Sequence, residues 1–191
     1  MPTLTLTRDP DADALLSENG FALLIGMLLD QQIAMELAFS GPRRLEQRIE
    51  GALTPHTIAE MDPDDLEQVF REKPALHRYP GSMAKRVHAL AVHLVEEHGG
   101  EASDVWEGVE TGQELKRRLT SLPGYGEQKA RIFIALLGKQ CGVTPRGWKE
   151  AAGDYAKSGY RSIADVTDEA SLGKVRDFKQ AQKAAKATSS T

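Results

Sequence analysis

The sequence predicts an all-α protein, and three observations carry that prediction. Apolar residues recur at helical spacing through most of the 191-residue chain. Cap-and-proline pairs such as Thr54-Pro55 and Asp62-Pro63 mark helix starts. Only "TLTLT" at 3–7 alternates as a strand would, and a single such run builds no sheet.

The elements follow in order. Residues 1–19 read as a mixed, acidic arm. From Gly20, "FALLIGMLLDQQIAMELAF" is apolar almost all round over its first half, the mark of a central buried helix, and "GPRR" at 41–44 interrupts it. Two short helices then start at Pro55 and Pro63, and Pro74 stops the second. Over 80–98, Met83, Val87, Leu90, Ala91, Leu94 and Val95 form one stripe, ended by Gly99-Gly100. Thr111 and Glu114 stand in capping-box spacing ahead of a helix that ends near Leu122. "QKARIFIALLGKQ" is again apolar on most sides, and Gly138 and Gly142 loosen its end. Thr144-Pro145 reads as another cap and first turn, and the tail from Val166 as one polar helix fraying into a disordered, basic end. About eight helices result, with no internal repeat.

Composition bounds the function. With 40% hydrophobic residues the chain can bury a core, and a net charge of −4 offers a polyanion no global attraction, so local charge has to be located. Cys141 is the sole cysteine, which excludes an internal disulfide and a four-cysteine iron-sulfur cluster within the chain. The longest apolar runs, such as "FALLIGMLL", fall short of a membrane span, and no basic start leads into an apolar segment. The expected location is the cytoplasm, at the nucleoid, with no membrane partner. The five histidines offer no metal pair, since 88, 93 and 98 recur at five-residue steps that wander round a helix.

The sharpest local signal is "LPGYG" at 122–126. Leu122 ends a helix with its side chain in the core, Pro123 stops it, and Gly124 and Gly126 permit positive φ or close backbone approach. The next helix starts with free amides that can hold one phosphate without reading a base. The plainer alternative is a tight helix-helix turn whose glycines relieve crowding. Local charge favours the phosphate. Between Leu115 and Lys149 lie Lys116, Arg117, Arg118, Lys129, Arg131, Lys139, Arg146 and Lys149 against Glu127 alone.

"LPGYGEQKARIFIALLGK" resembles the helix-hairpin-helix of the DNA glycosylase superfamily that includes endonuclease III and the adenine and alkyladenine glycosylases. "NGFALLIGMLLDQQIAMELA" resembles the family's early helix with its glutamine-bearing turn, and "YPGSMAKRVHALAVHLVEEHGGE" the segment before the hairpin. The resemblance covers about 18–145 and implies two helical lobes with a cleft between them: a six-helix bundle over 20–140 ending in a hairpin at 121–126, and a second lobe from 1–19 plus 141–185, with 186–191 a disordered tail. It also implies a double-stranded, damaged DNA partner, bent, with one nucleotide rotated into a pocket. DNA contacts would come from Leu122, Gly124, Tyr125, Gly126, Gln128 and Lys129, and from Gln32 pushed into the gap left by the base; the plainer reading of Gln32 is a helix-breaking cap.

The match fails at the chemistry. The family's amine nucleophile falls on Gln128, and its catalytic aspartate on Thr144. Lys129 is adjacent but projects about 100° away on a helix, toward phosphate or solvent. Asp30 and Asp154 are the candidate catalytic acids, with Glu150 a further substitute. Trp106, Tyr125 and Trp148 could stack on an extruded base or pack in the core. The expectation is a monomeric, monofunctional DNA glycosylase of base excision repair, without cofactor or metal. The alternatives are a catalytically silent scaffold that binds distorted DNA, and a structural helical protein whose hairpin contacts another protein.

Overall fold

A computed structural model describes residues 3–188. Its α-helices are α1 (Pro10–Glu18), α2 (Gly20–Leu29), α3 (Met35–Glu46), α4 (Pro55–Glu60), α5 (Pro63–Arg71), α6 (Pro80–His98), α7 (Gly112–Ser121), α8 (Glu127–Gln140), α9 (Trp148–Ala152) and α10 (Glu169–Thr188), with short 3-10 turns at 102–105, 153–156 and 163–165. No strand occurs among the described residues. The all-α class holds.

At the centre lies α2, in which every residue from Phe21 to Leu29 is buried. A helix this apolar must be wrapped on all sides, and α3, α6, α8 and the 102–105 turn pack around it. Asn19 sets its entry: the side-chain oxygen accepts from Ala22 N at 3.0 Å while Nδ2 donates to Leu53 O at 2.9 Å. No single helix among the described residues is long and apolar enough to cross a membrane.

Three expectations are corrected. The N-terminal arm contains α1, and "TLTLT" folds back on it without a partner strand. Leu4 and Leu6 are buried, and the amides of Leu6 and Thr7 donate to the Asp13 carboxylate at 3.0 and 2.8 Å. The helical run read over 21–39 is split where the resemblance puts its glutamine-bearing turn: α2 stops at Leu29, and α3 begins at Met35. Gly41-Pro42, expected to interrupt the helix, lies inside α3. Gly41 packs so closely on α2 that a Cβ there would stand 2.8 Å from Leu29 Cδ1, and this burial offsets the backbone bond Pro42 cannot make. Thr144-Pro145 starts no helix, because the Arg146 backbone is captured alongside α7, donating to Glu110 O at 3.0 Å and accepting from Gly112 N at 2.8 Å; α9 begins only at Trp148.

Other predicted ends stand. Gly99 and Gly100 take left-handed φ angles of 58° and 88°, and the Gly100 amide closes on Leu94 O at 2.9 Å. Thr111 caps α7, accepting from Glu114 N at 3.2 Å. Of the tail expected to be disordered, 186–188 continue α10 and 189–191 lie outside the described residues.

Phe133 of α8 ties the core to the hairpin. It is fully buried, edge-on to Tyr125 at 6.2 Å between centroids and tilted against Trp106 at 5.7 Å. Phe133→Ala is expected to cost about 3–5 kcal/mol of stability. A lowered denaturant midpoint with an unchanged slope is the signature, read by circular dichroism.

Candidate nucleic-acid interface

The two hairpin glycines differ in what they do. Gly124 has φ 82°, and a Cβ on it would stand 3.1 Å from Leu28 Cδ1, so both its backbone conformation and its closeness to α2 require glycine. Gly126 is extended, at φ −90°, and a Cβ there would meet nothing within 4 Å. Neither strain nor crowding explains it. It is the N-cap of α8, and no side chain caps that helix.

That lack of a cap is shared by a particular set of helices. Asp9, Asn19, Thr54, Asp62 and Thr111 cap α1, α2, α4, α5 and α7, whereas the short α9 and the three helices α3, α6 and α8 start without a side-chain cap. These three starts meet around the 30–34 turn. Tyr79, before α6, donates its hydroxyl to Gln32 Oε1 at 3.2 Å, Gln31 Nε2 contacts Met83 Sδ at 3.2 Å, and Arg86 Cβ lies 3.9 Å from where a Gly124 Cβ would be. The surface therefore presents unpaired amides and positive dipole ends together. Gln32 stands exposed at its rim with φ 57°, a left-handed conformation rare outside glycine that marks stored strain.

Beneath this rim, the end of α2 is closed by side chains from distant elements. Lys129 Nζ donates to Met27 O at 2.9 Å and also to Leu28 O. His77 Nε2 lies 3.2 Å from Leu29 O and 3.0 Å from Gln31 O, while its Nδ1 accepts from Tyr79 N at 3.0 Å. These bonds require a neutral ring protonated at Nε2. Burial lowers the His77 pKa, which agrees with that form. Lys129 thus faces inward, which corrects the expectation that it meets phosphate or solvent. Its stem is long enough for the ammonium to reach back under the helix. Burial depresses its pKa to about 8, opposed by the Asp30 carboxylate and reinforced by Arg86.

A cavity of about 350 Å³ opens beside this ammonium. The end of α2 supplies Met27, Asp30 and Gln31; the start of α8 supplies Gln128, Lys129 and Ile132. Tyr155 and Arg161 from the connection after α9, and Lys179 and Gln182 from α10, complete it. Asp30 is the one carboxylate in this lining; its side chain is 7% exposed, and Oδ2 sits 3.3 Å from Lys179 Nζ. Gln128 Nε2 donates to Tyr155 OH at 3.0 Å. Two larger hollows, of about 510 and 550 Å³, include no hairpin residue.

The other expected site residues are scattered. Asp154 is 74% exposed and paired with Lys157 at 2.5 Å, outside the cavity. Thr144 is exposed and caps no helix, so no carboxylate stands at that position. Tyr125 points inward: its hydroxyl donates to Leu24 O at 2.7 Å, and burial raises its pKa well above 10. Tyr125 and Trp106 are therefore core residues, unable to stack on a base, and the Leu122 side chain is buried as expected. Trp148 packs on Gly138, where a Cβ would come within 2.5 Å of the ring.

The cationic cluster is also less free than its sequence suggests. Glu127 Oε1 takes both Lys116 at 2.8 Å and Arg131 at 2.6 Å; Arg118 pairs with Glu114, and Lys139 with the buried Asp165. Sequence reasoning missed His77, Tyr79, Arg86, Tyr155, Arg161, Lys179 and Gln182. None carries a local motif. His93 and His98 approach to 6.0 Å between ring centroids, but among the described residues no group of three potential ligands could hold a metal.

A family model for HhH-GPD superfamily base excision DNA repair proteins matches residues 25–190. No curated protein and no solved structure matches the chain.

The depressed pKa of Lys129 has a signed consequence. Below pH 8 the group is charged in both folded and unfolded chains. Between about 8 and the ordinary 10.5, the unfolded chain holds a proton that the folded one has released, so stability rises with pH by at most about 1.4 kcal/mol per unit. Unfolding free energies of the natural chain minus those of Lys129→Met are expected to climb across that window. A flat difference would remove the assignment.

Proposed function

The chain belongs to the HhH-GPD superfamily of base excision DNA repair proteins, and from that premise we propose that it is a monofunctional DNA glycosylase whose catalytic carboxylate is Asp30. Membership makes it a DNA-binding protein of base excision repair. The observation that carries the finer reading is the Asp30 carboxylate, shielded from solvent in a cavity at the foot of the hairpin. A carboxylate in such a site stabilises the cationic sugar that forms as the glycosidic bond breaks, because low dielectric strengthens the interaction and the charge is already in place.

In this reading the DNA backbone lies over the open amides at Gly126 and the uncapped starts of α3 and α6. Gln32 enters the duplex, and the displaced nucleotide occupies the cavity. Gln128 holds the base or its sugar. An amide cannot form a Schiff base, and the neighbouring Lys129 is engaged with α2, which together support base removal without strand cleavage. A second reading, a silent scaffold that binds damaged DNA, is favoured by one contact. Asp30 already has a cationic partner in Lys179, and a paired carboxylate has less to offer a sugar cation.

Release of base from duplexes carrying uracil, hypoxanthine, oxidised or alkylated bases, scored by alkaline cleavage of the abasic product, separates the two. Asp30→Asn is expected to lower the rate on the order of 10²–10³-fold, whereas Asp154→Asn leaves it unchanged. Tight binding with no release from any substrate establishes the silent scaffold instead. For the hairpin, Gly126→Ala is expected to fold normally and to weaken binding to all sequences alike. Undiminished affinity in that variant would remove the phosphate contact from Gly126.

A further inference from the structure

The cavity holds more positive charge than its neighbours use. Lys129, Arg161 and Lys179 face the single carboxylate of Asp30. The adjoining hollow, which shares Tyr155, Arg161 and Gln182, adds Arg131 against Asp154 and so leaves the excess in place. The other polar groups are amides and one phenol. Arg161, stacked 5.8 Å from the centroid of Phe178, brings its cationic head to both hollows. A donor is also left over. Lys129 commits two of its three N–H groups to α2 carbonyls, leaving the third for the cavity it lines.

Resting on the glycosylase reading above, we propose that this cavity accepts an uncharged base whose edge carries carbonyl oxygen, of the hypoxanthine, uracil or oxidised-base type, and discriminates against cationic alkylated purines, with Lys129 the donor to the departing base. A base carrying a positive charge meets three cations here, and the one aromatic face in the lining, Tyr155, is a poor cage for it. A carbonyl edge instead accepts from the third N–H of Lys129. The same charges favour departure. The C1′–N bond breaks with its electron pair on the base, which takes a proton from Lys129. Water then adds to C1′ and gives a proton to Asp30, and solvent restores both groups. An ammonium depressed to about 8 is well matched to deliver that proton near neutral pH.

Three purines opposite cytosine isolate the effect: hypoxanthine, 7-methylguanine and guanine, each on a 2′-fluoro sugar that resists cleavage, in duplexes of one sequence. Competition binding by fluorescence polarisation is expected to favour hypoxanthine over 7-methylguanine by at least about tenfold. Lys129→Gln and Lys179→Gln should each narrow that ratio; Lys179 sits on the more exposed α10, so its variant reports even if the other misfolds. Equal or tighter binding of 7-methylguanine overturns the proposal. So does a uniform loss of affinity for all three duplexes in the variants, which would make these cations phosphate contacts. If the preference holds but no base is released from the ordinary 2′-deoxy substrates, catalysis fails as a reading and the base preference stands.

Discussion

The carbonyls at the end of α2 are the constraint around which the site is organised. An entirely apolar helix has to end somewhere, and this one ends inside the molecule, where the Met27 and Leu29 carbonyls accept from the Asp30 and Gln31 amides of the bend at 3.3 and 2.7 Å and the Leu28 carbonyl takes no main-chain donor among the described residues. Each such group costs about 1–3 kcal/mol if left alone. The chain solves this with Lys129 from the hairpin helix and His77 from the loop before α6. Those two side chains fix the 30–34 turn against both elements at once, so the glutamines, the cavity and the hairpin share one local frame.

The hairpin shows the same economy. Gly124 lets the turn press against α2 at Leu28, while Gly126 leaves the start of α8 bare. The first is required by packing and the second by nothing inside the protein. Glycine is itself a favourable N-cap, and at this position it also leaves the open approach that the proposed phosphate contact needs. The cations counted along the sequence contribute less than their number, since Glu127 alone gathers two of them and the far end of α8 spends Lys139 on Asp165.

Much of this was legible before any coordinates. Caps and prolines located α4, α5 and α7, the glycine pair located the end of α6, and the hairpin motif located the turn between α7 and α8. What escaped has physical causes. Gly41-Pro42 reads as a breaker, yet burial against α2 outweighs local propensity. Arg146 was drawn into an extended segment by backbone partners more than thirty residues away in sequence. Lys129 was misplaced because the direction of a Cα–Cβ bond does not fix where a four-carbon stem delivers its charge. Asp30 was named as a candidate acid, but Lys179, Arg161 and Tyr155 come from the C-terminal third and reach the cavity only through tertiary packing.

Lys129 unites these threads, because its structural role and its proposed chemical one impose opposite demands. Desolvation drives the ammonium toward neutrality, while the α2 carbonyls, the negative end of that helix and Asp30 all favour the charged form. The balance leaves a group close to its titration point in the same cavity as the carboxylate. A residue recruited only to finish a buried helix would be stable as a fully charged cap. One recruited only for proton transfer would not need two backbone acceptors. Their combination makes the acidity of the site depend on the integrity of α2, so any displacement of the 30–34 turn that loosens those carbonyls shifts the proton on Lys129 as well. In the proposed reading Gln32 enters the duplex from that very turn, which would give a direct physical route from grip on the DNA to charge in the cavity.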